Sequence, residues 1–476
     1  MILLGGCMVG PKYHSPQTQM PEQFVEGDSP VSDEELAQWW KQFGDPKLDS
    51  LIEQVIAGNY DFRIALEKVI EARAQFQIQS SFLWPTINLN AVAIRQRFSQ
   101  NLFTTAASAE SFASGATTSG IGAMTGPPIQ NFFQIGFDAI WELDFWGKFR
   151  RGKQAAYDQW EASQFLADNV LLTVIAEAAR DYVTIRSLQQ QIELLKKKIA
   201  ADVREVELLQ VLFDAGLDDE IQLQTQLAML DSDQAQLPNL ETSFKQLVYA
   251  LAVLIGQQPE EFFRAFDEVK PLPIFTGKVP AGLPSALLRR RPDIRASERQ
   301  LAAATEQIGI AVSALFPSIA LTGNSYGYES NQFPKLTTHK SNIWSIGPTV
   351  SWDIIDFGKT RGQIDVANSV QRQALLFYEQ TVISALQDVE GALVAYFEEQ
   401  KRHHNLSAEV NADARSLVLT KDLLQAGLAS ELQELEALKA LLDAKTTLIQ
   451  SEQAVASDLI SLYKALGGNW VCSSMP

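Results

Sequence analysis

Two cysteines in 476 residues, Cys7 and Cys472, are too few for a disulfide framework. The four histidines are equally sparse. His14 and His339 stand alone, and His403 and His404 are adjacent, about 100° apart on a helix, so no metal-ligand set is expected. No run of eighteen apolar residues exists; the nearest candidate, Leu247–Ile255, is about half the length of a membrane-spanning helix. If the chain enters a bilayer, strands must carry it. Positive charge is also scarce: 39 Lys and Arg against 57 Asp and Glu give a net −18, which argues against a nucleic-acid or anionic membrane-surface partner, so no nucleic acid is expected. Ser, His and Asp are scattered and no Gly-rich phosphate loop is present. The expectation is no enzyme, no cofactor and no metal. Residues 153–215 contain neither Gly nor Pro, so one helix of about 95 Å can form at 1.5 Å per residue. Residues 363–426 lack Pro and carry one glycine, Gly391.

What is present is an internal duplication. Residues 72–89 match 304–321 at a constant offset, with Ala72/Ala304, Gln75/Gln307, Ile78/Ile310, Ser81/Ser313, Pro85/Pro317, Ile87/Ile319 and Leu89/Leu321 identical. Residues 135–150 match 346–361 through Ile135, Gly136, Trp141, Gly147, Lys148 and Arg150. The same spacing pairs Ala215-Gly216-Leu217 with Ala426-Gly427-Leu428 and Gly256 with Gly467. Each half reads helix, strand, loop, strand, very long helix, turn, long helix. The expected boundaries are a lipobox at 1–7, an irregular Pro-rich stretch at 8–46 and a first helix over about 48–81. The first repeat spans 48–256, with strands near 86–98 and 132–145 and a helical hairpin near 150–256. After a linker at 257–291 comes the second repeat, 292–467, with strands near 318–330 and 343–355 and a hairpin near 359–466; a tail, 468–476, ends the chain. Interleaved repeats argue for one elongated body. Leu227, Leu230, Leu237, Phe244, Val248 and Leu251 recur at coiled-coil spacing, interrupted by Pro238, where a kink is expected.

The strands carry the clearest period of two. Phe133, Ile135, Phe137, Ala139, Trp141 and Leu143 alternate with Gln134, Gly136, Asp138, Ile140 and Glu142. Trp344, Ile346, Pro348, Val350, Trp352 and Ile354 alternate with Ser345, Gly347, Thr349, Ser351 and Asp353. Such a pattern suits a half-buried sandwich strand or a strand crossing a bilayer around a wet lumen. Aromatics at the strand ends (Phe82, Trp84, Phe145, Trp146, Phe357) and the very long helices favour the bilayer. Four strands cannot close a barrel alone, which implies an oligomer. Leu4-Gly5-Gly6-Cys7 fits a lipobox, with Cys7 expected to carry lipid, although no basic segment precedes it.

Residues 279–323, VPAGLPSALLRRRPDIRASERQLAAATEQIGIAVSALFPSIALTG, resemble the central signature of the TolC-like outer membrane factors, in the lipoprotein branch serving multidrug efflux. GCMVGPKY at 6–13, the stretch from Trp39-Trp40 to Arg73, WDIIDFGKTRG at 352–362 and YKALGGNW at 463–470 agree, so the resemblance covers nearly the whole chain. It implies a fold that is mainly α with membrane β. Three chains would form a homotrimer, with a twelve-stranded outer-membrane β-barrel continuous with a periplasmic coiled-coil barrel. The implied function is a passive, lipid-anchored exit duct for drugs or other small molecules. Its implied partners are outer-membrane lipid, a periplasmic adaptor and, through the adaptor, an inner-membrane pump of the RND type. A protein-secretion duct of the same fold and, outside transport, a soluble coiled-coil scaffold are the alternatives.

The candidate site is the turn end of the hairpins. Gly216 and Gly427 suit helix C-caps, and the tips Ala215, Gly216, Leu217, Ala426, Gly427 and Leu428 resemble the family's adaptor-docking motif. Asp218, Asp219 and Glu220 follow the first turn; Glu431, Glu434 and Glu436 follow the second. By resemblance Leu435-Glu436-Ala437 aligns with the family's Leu-Asp-Ala, whose acid lines the closed aperture. A ring of such carboxylates would prefer cations. The alternative for both turns is simple helix-hairpin punctuation. For Arg289-Arg290-Arg291 before Pro292, an anchoring salt-bridge cluster is favoured over a phosphate site.

Overall fold

A computed structural model of the chain describes residues 8–18, 20–24, 38–97, 129–266, 268–273 and 284–468. Cys7, Cys472 and the Ser/Ala/Gly-rich stretch 98–128 lie outside them. The elements in chain order are α1 (Pro46–Gly58), α2 (Tyr60–Ser81), β1 (Thr86–Arg97), β2 (Ile129–Leu143), α3 (Lys148–Asp214) and α4 (Glu220–Ile255). There follow α5 (Pro259–Phe262), α6 (Pro284–Arg290), α7 (Pro292–Ser313), β3 (Ser318–Ser330), β4 (Asn342–Ser351), α8 (Lys359–Gln425) and α9 (Glu431–Ala465). No helix among the described residues is long and apolar enough to cross a membrane. The chain divides into two compact units. One comprises Met1–Tyr13, Ala74–Tyr157 and Ala302–Gln371; the other comprises His14–Arg73, Asp158–Leu301 and Arg372–Pro476. Each unit draws on both repeats, so the unit boundary cuts across the duplication.

The first unit is built on a four-stranded antiparallel sheet in the order β1-β2-β3-β4. Cross-strand partners share a face. The register therefore joins Ile87, Leu89, Ala91, Ala93, Phe133, Ile135, Phe137, Trp141, Leu321, Ile346 and Val350 on one side. The opposite side holds Asn88, Asn90, Gln134, Asp138, Glu142, Thr322, Thr349 and Ser351. Asn88 donates to Asp138 at 3.1 Å, Asn90 donates to the same carboxylate, and the hydroxyls of Thr322 and Thr349 lie 3.2 Å apart. Strict alternation would put Gly323 and Gly327 on the apolar side. A bulge adds one residue to β3 between Gly323 and Tyr326, because one residue separates Phe137 from Ala139 while two separate Gly323 from Tyr326. The extra residue moves Tyr326 and Tyr328 onto the apolar side, opposite Phe137 and Ile135.

β4 stops at Ser351, short of the expected 355. There its partner β3 begins, with Ser318 opposite Ser351, and just beyond it the Trp352 indole N–H donates to the carbonyl of Leu315 at 3.1 Å. Trp141, its counterpart in the first repeat, donates to the carbonyl of Leu83 at 3.1 Å, and Leu83 and Leu315 are themselves repeat partners. Both repeats thus tie a strand-end indole to the residue two before the equivalent proline. The N-terminal segment also joins this unit. Arg151 is fully buried, paired to Glu306 at 2.7 Å and donating to the carbonyl of Gly10 at 3.1 Å. A Cβ on Gly10 would lie 2.7 Å from Gly309 Cα, and one on Gly309 would lie 2.0 Å from Arg151 Cδ. Only glycines allow this approach.

The second unit is helical. Its core gathers Leu48, Ile52 and Val55 of α1, Leu171, Ile175 and Tyr182 of α3, Val248 and Leu251 of α4, and Leu459, Ile460 and Tyr463 of α9. Trp39, expected at the edge of an irregular stretch, is instead a core residue in a short 3-10 turn, stacked on Tyr463 at 5.3 Å. The helix expected over 48–81 is two helices. At the break a Cβ on Gly58 would lie 2.0 Å from the Ile255 carbonyl oxygen, while Asn59 accepts from Phe62 N and donates to the Leu254 carbonyl. α4 runs unbroken through Pro238, and the linker expected at 257–291 contains α5 and α6. Arg291 resolves the arginine cluster: it pairs with Asp293 at 2.7 Å and Asp388 at 3.0 Å. Its anchoring role is structural.

The coiled-coil seam differs from its sequence reading. Leu230, Val248 and Leu251 are buried as read, but Leu227, Leu237 and Phe244 are half-buried, and Leu223, Gln226 and Asp233 are buried in their stead. Apolar periodicity misses this stripe because two polar residues occupy it, each with a partner on another helix.

Candidate functional site: the two helical turns and the charged layer beside them

Both turns close in the same way. Gly216 has φ 68° and Gly427 φ 72°, with open space where a Cβ would be, so positive φ alone accounts for glycine. Gly216 N donates to the Phe213 carbonyl and Leu217 N to Leu212; Gly427 N donates to Leu424 and Leu428 N to Leu423. These are complete Schellman caps, which satisfy carbonyls that a helix end would otherwise leave unpaired. They also hold Leu217 and Leu428 in water, each 76% exposed. Ala215 and Ala426 are exposed beside them.

The residues after each turn differ. Asp219 caps α4, accepting from Gln222 N at 3.0 Å, and the Asp218 carboxylate accepts from Asp219 N at 2.9 Å. Glu220 is exposed and meets no cation among the described residues. α9 is capped by Ser430 through a reciprocal box with Gln433. Glu431 and Glu434 occupy its first turn, where the helix dipole favours negative charge. Arg204 of α3 holds both oxygens of Glu431, at 2.8 and 3.2 Å, and Lys421 of α8 lies 3.6 Å from Glu434. The Arg204 hydrogen bonds depress the Glu431 carboxyl below its ordinary value. Glu436 is exposed with no ion pair among the described residues, while its neighbour Leu435 is buried. The six acids named from the sequence therefore divide. Glu431 and Glu434 are bridged, Asp219 is a cap, and Asp218, Glu220 and Glu436 keep their charge uncompensated by any ion pair among the described residues.

A charged layer that the sequence did not single out joins the two hairpins. Lys439 of α9 lies 2.5 Å from Glu205 and 3.3 Å from Asp202, both on α3. Gln226 of α4 donates to Asp202 at 2.9 Å. One turn further along, Lys198 of α3 spans Asp233 of α4 at 3.1 Å and Asp443 of α9 at 2.9 Å. Asp202 is 1% exposed and Glu205 8%. Burial raises the Asp202 carboxyl against the pull of Lys439. Burial also disfavours charge on Lys439, but its bonds to Glu205 and Asp202 outweigh that and raise it, so the ammonium stays protonated. The only sequence signal was spacing: Lys439 stands one helical turn past Glu436. Its partners lie more than 230 residues earlier in the chain.

The outer membrane efflux protein family matches residues 51–257 and 283–468. The pyoverdine export outer membrane protein OpmQ of Pseudomonas aeruginosa is 29% identical over 479 residues, covering 98% of this chain and 95% of that protein. Nodulation protein T of Rhizobium leguminosarum bv. viciae is 27% identical over 472 residues, covering 98% and 92%. Among solved structures, the outer-membrane channel OprN superposes with a TM-score of 0.83 at 28% identity, covering 97% of this chain and 99% of that one. The open state of the Neisseria gonorrhoeae MtrE outer membrane channel gives 0.81 at 28%, covering 97% and 98%.

Proposed function

Since this chain belongs to the outer membrane efflux protein family and serves efflux at the outer membrane, we propose that it is a passive exit duct, gated at its helical turns. Three copies, each giving four strands, complete one barrel. The observation that carries this reading is the two-faced sheet: one side apolar, the other bearing Asp138, Glu142 and the hydroxyls of Thr322 and Thr349, with β1 and β4 as open outer edges. An open edge demands a partner, and an apolar face without a core to cover it demands lipid. Cys7 carries the lipid anchor. A periplasmic adaptor docks on the tips Ala215-Gly216-Leu217 and Ala426-Gly427-Leu428, where two leucines stand exposed, and delivers cargo from an inner-membrane pump. Relatives are named for pyoverdine and toluene, which supports small molecules as cargo.

The gate is shut at rest. The Arg204–Glu431 bridge and the Lys439 and Lys198 pairs tie the second-repeat hairpin to the first. Moving the hairpins apart breaks these bonds, and an adaptor opens the duct by binding that arrangement better. Asp218, Glu220 and Glu436 line the aperture with uncompensated charge and favour cations. Two measurements on the detergent-purified protein test the reading. A heat-resistant oligomer is expected on denaturing gels, and its absence rules out the barrel. In planar bilayers Glu436→Gln is expected to weaken cation preference; unchanged selectivity removes the aperture ring.

A further inference from the structure

The charges on the sheet are sorted by face. Its three carboxylates, Asp138, Glu142 and Glu329, all fall on the polar side, Glu329 by its pairing with Gln134. Its two arginines fall on the other side: Arg95 and Arg97 continue the alternation of Ile87, Leu89, Ala91 and Ala93, opposite Asn131 and Ile129. Both are exposed and neither pairs with a described acid. The stretch that follows, 98–128, offers a single carboxylate, Glu110, in 31 residues.

Their height on the sheet is informative. The apolar side of β2 runs from Phe133 to Leu143. That is about 34 Å of strand at 3.4 Å per residue, or about 25 Å along the membrane normal at the tilt of such barrels, the height of their apolar band. Arg95 and Arg97 lie just beyond it, at the end of β1 and β2 away from α2 and α3. Long connections mark the outward end of outer-membrane barrels, and 31 residues separate the end of β1 from the start of β2 there. The shorter loop after β3 reaches the same rim: Phe333 packs edge-on against Phe133 at 5.5 Å, and exposed Lys335 and Lys340 flank it. A strongly acidic chain thus shows the outer leaflet aromatic rings and cations, with no carboxylate on that side of the sheet.

We propose that Arg95 and Arg97 form a binding site for the phosphate groups of outer-leaflet glycolipid. A guanidinium matches phosphate through paired, charge-assisted hydrogen bonds, and a rim position is where a lipid-facing arginine is tolerated. The bound lipid would seal the outer end of each β1–β2 hairpin against the bilayer. The inference rests on the barrel reading above.

Native mass spectrometry of the detergent-purified full-length oligomer, titrated with bisphosphorylated lipid A or with dephosphorylated lipid A, tests it. The wild type is expected to hold the phosphorylated form about tenfold more tightly, the scale of a lost charge-assisted bond. Arg95→Gln with Arg97→Gln should abolish that preference, the double lysine variant should keep part of it, and Glu329→Gln on the opposite face should keep all of it. Should the double variant fail to assemble, the single variants and the wild-type comparison still decide. A wild type without preference, a double glutamine variant that retains it, or ready displacement by excess inorganic phosphate would overturn the site. Absence of a heat-resistant oligomer removes the barrel reading and this inference together; an oligomer without phosphate preference removes this inference alone.

Discussion

The two repeats keep one backbone and carry two chemistries. Both turns close with the same Schellman bonds, and both strand-end tryptophans reach the equivalent leucine carbonyl. Beside the turns the likeness ends. The first leaves Asp218 and Glu220 without an ion pair among the described residues; the second places Glu431 and Glu434 against Arg204 and Lys421. Backbone bonds that close a helix end or tether a strand leave few solutions, so a duplication preserves them. Charges on a solvated turn are not so constrained, and one turn can specialise in bridging while the other stays free.

The largest expected effect tests the charged layer. Lys439→Met leaves Asp202 and Glu205 buried without their cation and should cost about 3–5 kcal/mol in urea unfolding of the oligomer. Lys421→Met, at an exposed pair, should cost less than about 1 kcal/mol. Similar costs would mean that the bridges of the second repeat are all surface decoration. Next come the faces of β4. Ile346→Arg, on the apolar side, should cost about 2–4 kcal/mol of assembly, while Ser351→Arg on the polar side assembles normally. Equal yields of heat-resistant oligomer from the two variants would reverse the face assignment.

Smaller effects probe the shared backbone. Gly216→Ala and Gly427→Ala should each cost about 1 kcal/mol, and by the same amount, since both glycines have positive φ in open space. Thermal melts that differ between the two would show that the turns are not equivalent. The smallest effect is on pH. Arg204 holds Glu431 below its usual value of 4.5, so its contribution is complete above that value and is lost as pH falls through the depressed one. Resting leak in planar bilayers should therefore stay flat from neutral pH to about 5 and rise only in stronger acid. A rise between pH 7 and 6 would assign closure to another group.

Period-two alternation, two Ala-Gly-Leu turns and helix segments without Gly or Pro made the strands and hairpins legible in the sequence. The β3 bulge was not, because no residue pattern announces one extra residue, and neither was the break at Gly58-Asn59, which depends on the approach of the Ile255 carbonyl. The turn acids were visible by position, but the sequence treated them as one ring. What divides them is their partners Arg204, Lys421 and Ser430, fixed by packing and capping. Buried Gln226 and Asp233 were hidden for a related reason: polar residues enter a seam only where distant residues satisfy them.

Single-channel conductance of the purified oligomer, compared between variants of the two turns, bears most directly on the gate. The wild type should be nearly closed and Arg204→Gln should conduct steadily. Asp218→Asn with Glu220→Gln should stay as closed as the wild type while losing cation preference. A wild type that conducts freely, or an Arg204→Gln variant as tightly closed as the wild type, would contradict a duct held shut by the bridges of its second repeat.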